Sequence, residues 1–257
     1  MKVLNIEERV ECFQLVFLLF LSQKIDRKHY VLKGGCNLRF FFKSPRYSED
    51  IDFDLQDISV QKFREDVNRI LRSSTFKEAL SVKGLTIGNI TESKQTETTQ
   101  RWKLSLGYGQ TKTYIPTKIE FSRRDVGKTE SRFEAVDPII LKKYEIAPVL
   151  VRHYTAEASF LQKIVAISSR KIPQARDIFD TYLLIIMGVD TSKILKNLDK
   201  ITISKTKNNI FSINYDIFKS QVISYLSPDD RNVYDSEDVW DTIRLKIIEV
   251  IEGSDKQ

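Results

Sequence analysis

One segment of the chain carries a carboxylate at every second position, and it limits the folds that are open to the chain. Polar and apolar side chains alternate through residues 48–55, which have the sequence Ser-Glu-Asp-Ile-Asp-Phe-Asp-Leu. This alternation predicts a half-buried β-strand. Successive side chains of a strand point to opposite faces, so Asp50, Asp52 and Asp54 share one face while the apolar residues face a core. The chain must therefore build a sheet that is covered on one side.

The remaining pattern predicts an α+β fold. We expect an N-terminal domain of residues 1–136, with a mixed or antiparallel sheet flanked by helices, and then a helical C-terminal domain of residues 137–257. Apolar periodicity predicts helices at residues 6–24, 36–42, 60–80, 156–170, 174–187 and 237–252. Further strands are predicted at residues 30–32, 101–108 and 114–121, the last two as an antiparallel pair. The polar segment 91–100 predicts a hairpin tip or loop, and the pattern does not place the elements of residues 190–235.

The composition excludes several kinds of chemistry. The 257 residues include two cysteines and two histidines, which is too few for a disulfide framework or a cysteine-based zinc site and disfavours histidine-centred catalysis. Carboxylates, lysines and arginines must then carry any reaction. The most apolar run, residues 10–21, is shorter than the roughly 20 residues of a membrane span, so we expect a cytoplasmic protein without a membrane partner. A net charge of +6 is compatible with a phosphate-bearing partner.

The acidic face of the predicted strand suggests a metal site. Three carboxylates in a row repel one another, and no lysine is interleaved between them. A divalent cation at Asp50 and Asp52 would relieve this repulsion with the hard oxygen ligands that Mg²⁺ prefers. Glu120, on a later strand, could supply a third ligand, and such a set is what two-metal phosphoryl transfer requires. The alternative is a solvated face of an edge strand, with Glu120 an ordinary exposed glutamate.

A glycine turn lies upstream of the acidic strand. Gly34 and Gly35 join a predicted strand to a helix, where backbone N–H groups can hold phosphate oxygens, although two glycines can equally serve a tight turn. Cys36 follows them, and no histidine is placed beside it, so a small buried residue is favoured over a nucleophile. Arg39 could meet a phosphate or lie on a packed helix, and Ser48 could orient a carboxylate.

Two blocks of residues resemble a known family. The first resembles the leading motif of the DNA polymerase β-like nucleotidyltransferase superfamily: Gly34-Gly35-x-x-Leu38-Arg39, then Arg46-x-Ser48-x-Asp50-Ile51-Asp52-Phe53. The second block consists of Lys163-x-x-Ala166, Arg170 and Arg176-Asp177-x-x-Asp180. Taken together, the two blocks are similar to the AbiEii/AbiGii toxin family of toxin–antitoxin and phage abortive-infection pairs. The superfamily usually has serine or threonine where this chain has Cys36, and a thiol is a weak donor.

The resemblance implies a nucleotidyltransferase that moves a nucleoside monophosphate from a nucleoside triphosphate (NTP) to an acceptor hydroxyl. Asp50, Asp52 and Glu120 would hold two Mg²⁺ ions, with Lys163 on the triphosphate and Asp177 a required polar residue of the site. The other implied nucleotide-binding residues are Gly34, Gly35, Cys36, Arg39 and Ser48. The helical domain would thereby contribute to the active site.

Some members of the resembled family extend the 3′ end of tRNA, which stops translation and growth, and a cognate antitoxin is implied. Candidate basic surfaces for RNA are Arg123-Arg124, Lys142-Lys143 and the lysines from Lys193 to Lys207, although such runs are more often solvated faces. Three alternatives stay open: transfer to a protein or small molecule, a GTP- or RNA-binding module without turnover, and an interaction role with the antitoxin as the only ligand.

Overall fold

A computed structural model describes residues 4–109, 113–123 and 130–254, which fold into two compact units. The sheet unit comprises Met1–Lys43 and Tyr47–Tyr154, and the helical unit comprises Ser44–Arg46 and Thr155–Gln257. The division after Tyr154 lies downstream of the domain boundary expected after residue 136, because a strand at Leu150–Tyr154 joins the sheet.

The sheet unit alternates helices and strands, with a 3-10 turn at Arg27–His29 before the first strand. Its elements in chain order are α1 (Ile6–Lys24), β1 (Tyr30–Lys33), α2 (Gly34–Phe41), β2 (Asp50–Leu55), α3 (Val60–Arg72), α4 (Ser74–Val82), β3 (Leu85–Gln95), β4 (Thr99–Tyr108), β5 (Ile115–Arg123), β6 (Ser131–Ala135), α5 (Pro138–Lys143) and β7 (Leu150–Tyr154).

In the described part of the chain, seven strands form one mixed sheet in the order β3-β4-β5-β2-β1-β7-β6. The pairs β2–β5 and β1–β7 are parallel, and the other neighbours are antiparallel. The expected α+β class, the mixed sheet flanked by helices and the antiparallel β4–β5 pair are confirmed. The acidic strand β2 lies between β5 and β1, so the edge-strand alternative is wrong.

The apolar face of β2 is buried as its alternation predicts. Ile51 and Phe53 are fully buried, and Phe53 stacks on Phe121 of β5 with ring centroids 4.7 Å apart. Helix α1 begins at a capping box formed by Asn5 and Glu8 and contributes much of the covering layer. Among the helices that the structure describes, none is long and apolar enough to cross a membrane.

The structure departs from the sequence pattern at two places in this unit. The predicted 60–80 helix is two helices, because Ser73 is extended (φ −65°, ψ 145°) and its side chain caps α4 by accepting from the Phe76 N–H. The polar segment 91–100 is mostly strand, with a tip at residues 96–98 between β3 and β4. Backbone pairing such as Lys94 with Arg101 overrides the polar composition there.

The helical unit confirms the three helices predicted in this half and places those of residues 190–235. Its elements are α6 (Ala156–Ser169), α7 (Ala175–Ile186), α8 (Ser192–Lys196), α9 (Lys200–Phe211), α10 (Tyr215–Gln221), a 3-10 turn (Ile223–Tyr225), α11 (Pro228–Tyr234) and α12 (Glu237–Ser254). Its core includes Trp240, which stacks on Phe218 at 4.3 Å and donates its indole N–H to the Ile213 carbonyl.

Candidate active site

A row of four charged residues crosses the middle of the sheet. Asp52 of β2 is the register partner of Glu120 on the parallel strand β5. Lys33 of β1 lies on the other side of Asp52, and Arg101 of β4 lies beyond Glu120. Residues opposite each other in neighbouring strands lie on the same face. Two carboxylates thus meet at the centre of this face with a cation on either side.

Lys118 brings a further cation into the row, and the sequence analysis missed it. Its Nζ atom lies 3.1 Å from Asp50 Oδ2 and 3.6 Å from Glu120 Oε2. Arg101 Nε donates to the same Glu120 oxygen at 2.6 Å. Although no lysine is interleaved along β2, neighbouring strands therefore supply the counter-charges. The spacing Lys118-x-Glu120 was the available signal, since residues two apart on a strand share a face.

Burial and neighbouring charges together set the pKa values of Asp52 and Glu120. Burial raises the pKa of Asp52 above its ordinary value, and the charge of Lys118 only partly offsets this. Burial also acts to raise the pKa of Glu120, but the hydrogen bond from Arg101 and the charge of Lys118 hold it below its ordinary value. Glu120 is therefore a carboxylate at neutral pH, as a metal ligand or a proton acceptor must be.

Asp54, the third carboxylate of β2, has separate partners. It forms an ion pair with Lys33 Nζ and accepts a hydrogen bond of 2.8 Å from the Tyr154 hydroxyl. Its side chain is almost fully buried. Asp54 therefore fixes Lys33 beside the start of α2.

Gly34 allows the first turn of α2 to lie against Asp52. Its φ of +70° is in the left-handed region, and a Cβ built at this position would lie 3.4 Å from Asp52 Oδ2. The N-cap residue Lys33 makes no side-chain capping hydrogen bond. Among the residues that the structure describes, none forms a hydrogen bond or an ion pair with the Asp52 carboxylate. The predicted glycine turn and the catalytic candidate Asp52 therefore lie together.

Cys36 and Ser48 both hold the main chain at the start of β2. The Cys36 thiol donates to the Asp50 carbonyl at 3.2 Å, and the Ser48 hydroxyl donates to the same carbonyl at 2.8 Å. Burial raises the pKa of the Cys36 thiol well above its ordinary value, so the neutral thiol suits this structural bond better than nucleophilic chemistry. Ser48 thus bonds a backbone carbonyl, where orientation of a carboxylate was expected.

Arg39 lies on the packed side of α2. Its Nε atom donates to Glu11 at 2.6 Å, and its guanidinium lies over the Tyr47 ring at 4.3 Å. A phosphate contact by Arg39 would require this pair to break, and it stays a prediction. Gly35 follows Gly34 in the first turn of α2.

The donor set has the chemistry that a divalent cation requires. Asp50, Asp52 and Glu120 offer hard oxygen ligands on one face, and the Lys118 ammonium already occupies a cation position between two of them. Within residues 4–109, 113–123 and 130–254, however, no three acidic, histidine or cysteine side chains are arranged as a ready-made metal site. The carboxylate oxygens are ligands of the type that Mg²⁺ prefers. For the ion to bind, the ion pairs with Lys118 and Arg101 would have to rearrange.

The helical unit holds a second cluster, which contains the predicted Lys163 and Asp177. Lys163 Nζ of α6 lies 2.9 Å from Asp177 Oδ1 and 2.6 Å from Asp180 Oδ2. Arg46 binds both oxygens of Asp180 at 2.9–3.2 Å. Arg170 Nε lies 2.8 Å from Asp177 Oδ2, although Arg170 is the extended C-cap residue after α6 and not part of the helix on which it was expected. The sequence did not predict the buried Arg46–Asp180 pair.

Charge pairing in this cluster outweighs burial. Burial acts to raise the pKa values of Asp177 and Asp180, but the cations beside them hold both below their ordinary values. Burial acts to lower the pKa of Lys163, but the two aspartates raise it. Asp177, Asp180 and Lys163 are therefore charged at neutral pH. The two carboxylates face three basic side chains, those of Lys163, Arg46 and Arg170.

The central aspartates lie beside a glycine turn, with a third acid on the adjacent parallel strand, which is the arrangement that the sequence analysis expected of a nucleotidyltransferase. A family model described as the nucleotidyl transferase AbiEii toxin of type IV toxin–antitoxin systems matches residues 17–237. The chain belongs to this family, and it is a nucleotidyltransferase of the toxin type. No curated protein matches the sequence.

Solved structures share this fold at low sequence identity. JHP933 from Helicobacter pylori has a TM-score of 0.55 and 16% identity, covering 99% of this chain and 97% of that one. MenT4, a nucleotidyltransferase toxin from Mycobacterium tuberculosis H37Rv, has a TM-score of 0.57 and 20% identity. The match covers 78% of this chain but 64% of MenT4. These likenesses concern the fold.

Proposed function

We propose that this toxin transfers a nucleoside monophosphate from an NTP to the 3′ end of tRNA and thereby blocks translation. The observation that carries the proposal is the register pairing of Asp52 with Glu120 beside the left-handed Gly34. In the reaction an acceptor hydroxyl attacks the α-phosphorus, the bond to the bridging oxygen breaks, and pyrophosphate leaves with the electron pair.

Each candidate site residue of the sheet unit is assigned a role in this reaction. The first N–H groups of α2, at Gly34, Gly35 and Cys36, bind phosphate oxygens, since the side chain of the N-cap residue Lys33 makes no capping hydrogen bond to them. Asp50, Asp52 and Glu120 hold the divalent cations, with Mg²⁺ the expected ion. When bound, these ions supply charge stabilisation at the transferring phosphorus and lower the pKa of the acceptor hydroxyl. Glu120, ionised by its cationic neighbours, favours loss of the hydroxyl proton.

Lys163 and Asp177 are assigned by their family motif. We assign Lys163 to the triphosphate, where its charge neutralises the leaving phosphates. Asp177 keeps the ammonium in place through the 2.9 Å contact. Asp180 also pairs with Lys163, and Arg46 pairs with Asp180, so these two residues hold the lysine in position beside Asp177.

The exposed lysines of α8 and α9 are our candidate RNA surface. Four of these lysines are exposed: Lys193, Lys196, Lys200 and Lys205. Three other candidate residues already have partners within the protein. Lys207 pairs with Glu252 at 2.8 Å, and Lys143 pairs with Glu8 at 2.9 Å. Arg123 donates a hydrogen bond to Gln100 at 2.8 Å. Lys142 is exposed, and Arg124 lies outside the described residues. Changing the four exposed lysines to glutamine should reduce the slope of log affinity for tRNA against log salt by up to about 3.

The decisive assay combines purified protein, Mg²⁺ and total tRNA with each α-labelled NTP in turn. Label on RNA from wild type but not from Asp52→Asn supports the proposal and identifies the donor. Asp57→Asn is the matched control, because Asp57 follows the same strand, is exposed and has a positive φ of 53° that asparagine accepts. It should label RNA like wild type.

Other outcomes redirect the assignment. Label on protein would replace tRNA with a protein acceptor, and label on neither polymer would favour a small-molecule acceptor or a missing partner. In cells, wild type should arrest growth, whereas Asp52→Asn and Lys163→Met should not. Equal toxicity of both variants would refute the catalytic account. Co-expression of the cognate antitoxin, which the family implies, should restore growth.

A further inference from the structure

The Lys118 ammonium lies between Asp50 and Glu120, the position that a divalent cation bound to these carboxylates would occupy. Its ammonium lies 3.1 Å from Asp50 Oδ2 and 3.6 Å from Glu120 Oε2, so one positive charge joins carboxylates on two neighbouring strands. The side chains are reachable from solvent, with 27% of Lys118 and 28% of Asp50 exposed. The pair is thus not locked in a dry core, and an incoming ion can exchange with the lysine.

We propose that Lys118 is an exchangeable internal counter-ion, which holds the carboxylates when no metal is bound and turns to the phosphates of the nucleotide when metal displaces it. This inference rests on the proposed metal-dependent function. An ammonium and a divalent cation cannot both bind the same Asp50 oxygen closely, because like charges repel strongly at such distances. Once released, the Lys118 ammonium remains on the face that carries Asp52 and Glu120, where it can pair with a phosphate oxygen.

The two halves of the proposal predict opposite effects of one substitution. Lys118→Met removes the charge but keeps an unbranched side chain of similar reach. Without the competing ammonium, Mn²⁺ should bind the nucleotide-free protein about tenfold more tightly. Without its phosphate contact, tripolyphosphate should bind the Mg²⁺-saturated protein at least about threefold more weakly. A residue with a purely structural role would weaken both.

The experiment measures Mn²⁺ binding by the loss of the free-ion electron paramagnetic resonance signal, and tripolyphosphate binding by titration calorimetry. Lys77→Met is the matched control, since Lys77 carries the same charge and is exposed on α4, a helix that packs through Phe76 into the core covering the apolar face of β2. It should change both affinities less than about twofold. Lys118→Gln replaces the methionine variant if that variant does not fold.

The outcomes separate this inference from the proposed function. Tighter Mn²⁺ binding with weaker tripolyphosphate binding in Lys118→Met alone supports it. Unchanged or weaker Mn²⁺ binding in Lys118→Met, with binding abolished in Asp50→Asn, overturns the counter-ion role and leaves a metal-dependent enzyme. Absence of Mn²⁺ binding in both wild type and Lys118→Met overturns the two together.

Discussion

Removing the charge of Asp180 should destabilise the helical unit strongly. Asp180 is fully buried and accepts from Arg46 and Lys163, whose side chains are only 5% and 11% exposed. In Asp180→Asn both cations stay buried with one carboxylate fewer, and an amide NH₂ can face their donors. Breaking a buried ion pair from one side typically costs about 3–5 kcal/mol. Because asparagine keeps one acceptor oxygen, we expect about 3 kcal/mol of unfolding free energy to be lost at neutral pH.

Urea unfolding followed by circular dichroism tests this expectation. Asp216→Asn is the control, because Asp216 is an exposed aspartate in the first turn of α10, and it should cost less than about 1 kcal/mol. The double variant Arg46→Met/Asp180→Asn should lose less than the sum of its single variants, since both members of the pair are then gone. A loss below about 1 kcal/mol in Asp180→Asn would refute the argument that this network is a tightly coupled buried one.

Three further outcomes are expected, one for the Asp177–Asp180 cluster and two for the start of α2. The pKa values of Asp177 and Asp180 are lowered by folding, so the unfolded chain takes up protons first as the pH falls below about 4. The stabilisation, complete above that pH, is lost as the pH falls through the folded pKa values, and the fall in unfolding free energy from about pH 5 to pH 3 should be shallower in Asp180→Asn. Gly34→Ala should cost about 1–2 kcal/mol in urea unfolding because of its φ of +70°, and a change below about 0.5 kcal/mol would show that the turn relaxes freely. Cys36 should resist iodoacetamide in the native protein because its thiol is buried and neutral, and Cys36→Ser should keep nucleotidyl transfer within a few-fold of wild type, since a hydroxyl can also donate to the Asp50 carbonyl. Rapid native alkylation of Cys36 would contradict this assignment.

Much of the fold could be predicted because its signals are local. The strand β2 and its buried face follow from strict alternation, and helices α1, α6, α7 and α12 follow from apolar periodicity. Two features of the fold were not predicted, and they have different physical causes. Strand β7 pairs with β1 through Leu32 and His153, which are far apart in the chain. The local pattern of residues 150–154 does not indicate that this segment joins the sheet. The break at Ser73 is local: its extended backbone and its side-chain cap on α4 interrupt an apolar pattern that is otherwise continuous.

The sequence by itself determined which residues share a face and which segments can carry the chemistry. The alternation of Asp50 and Asp52 is a property of one strand, the Gly34-Gly35 sequence is a property of one turn, and the three-residue spacing of Asp177 and Asp180 is a property of one helix. Only the tertiary structure decided which charges meet. The parallel β2–β5 register brings Glu120 beside Asp52 and Lys118 beside Asp50, and packing in the helical unit brings Arg46 onto Asp180. Periodicity fixes the direction of a side chain relative to its own element, whereas its partner depends on strand order and packing between residues distant in sequence.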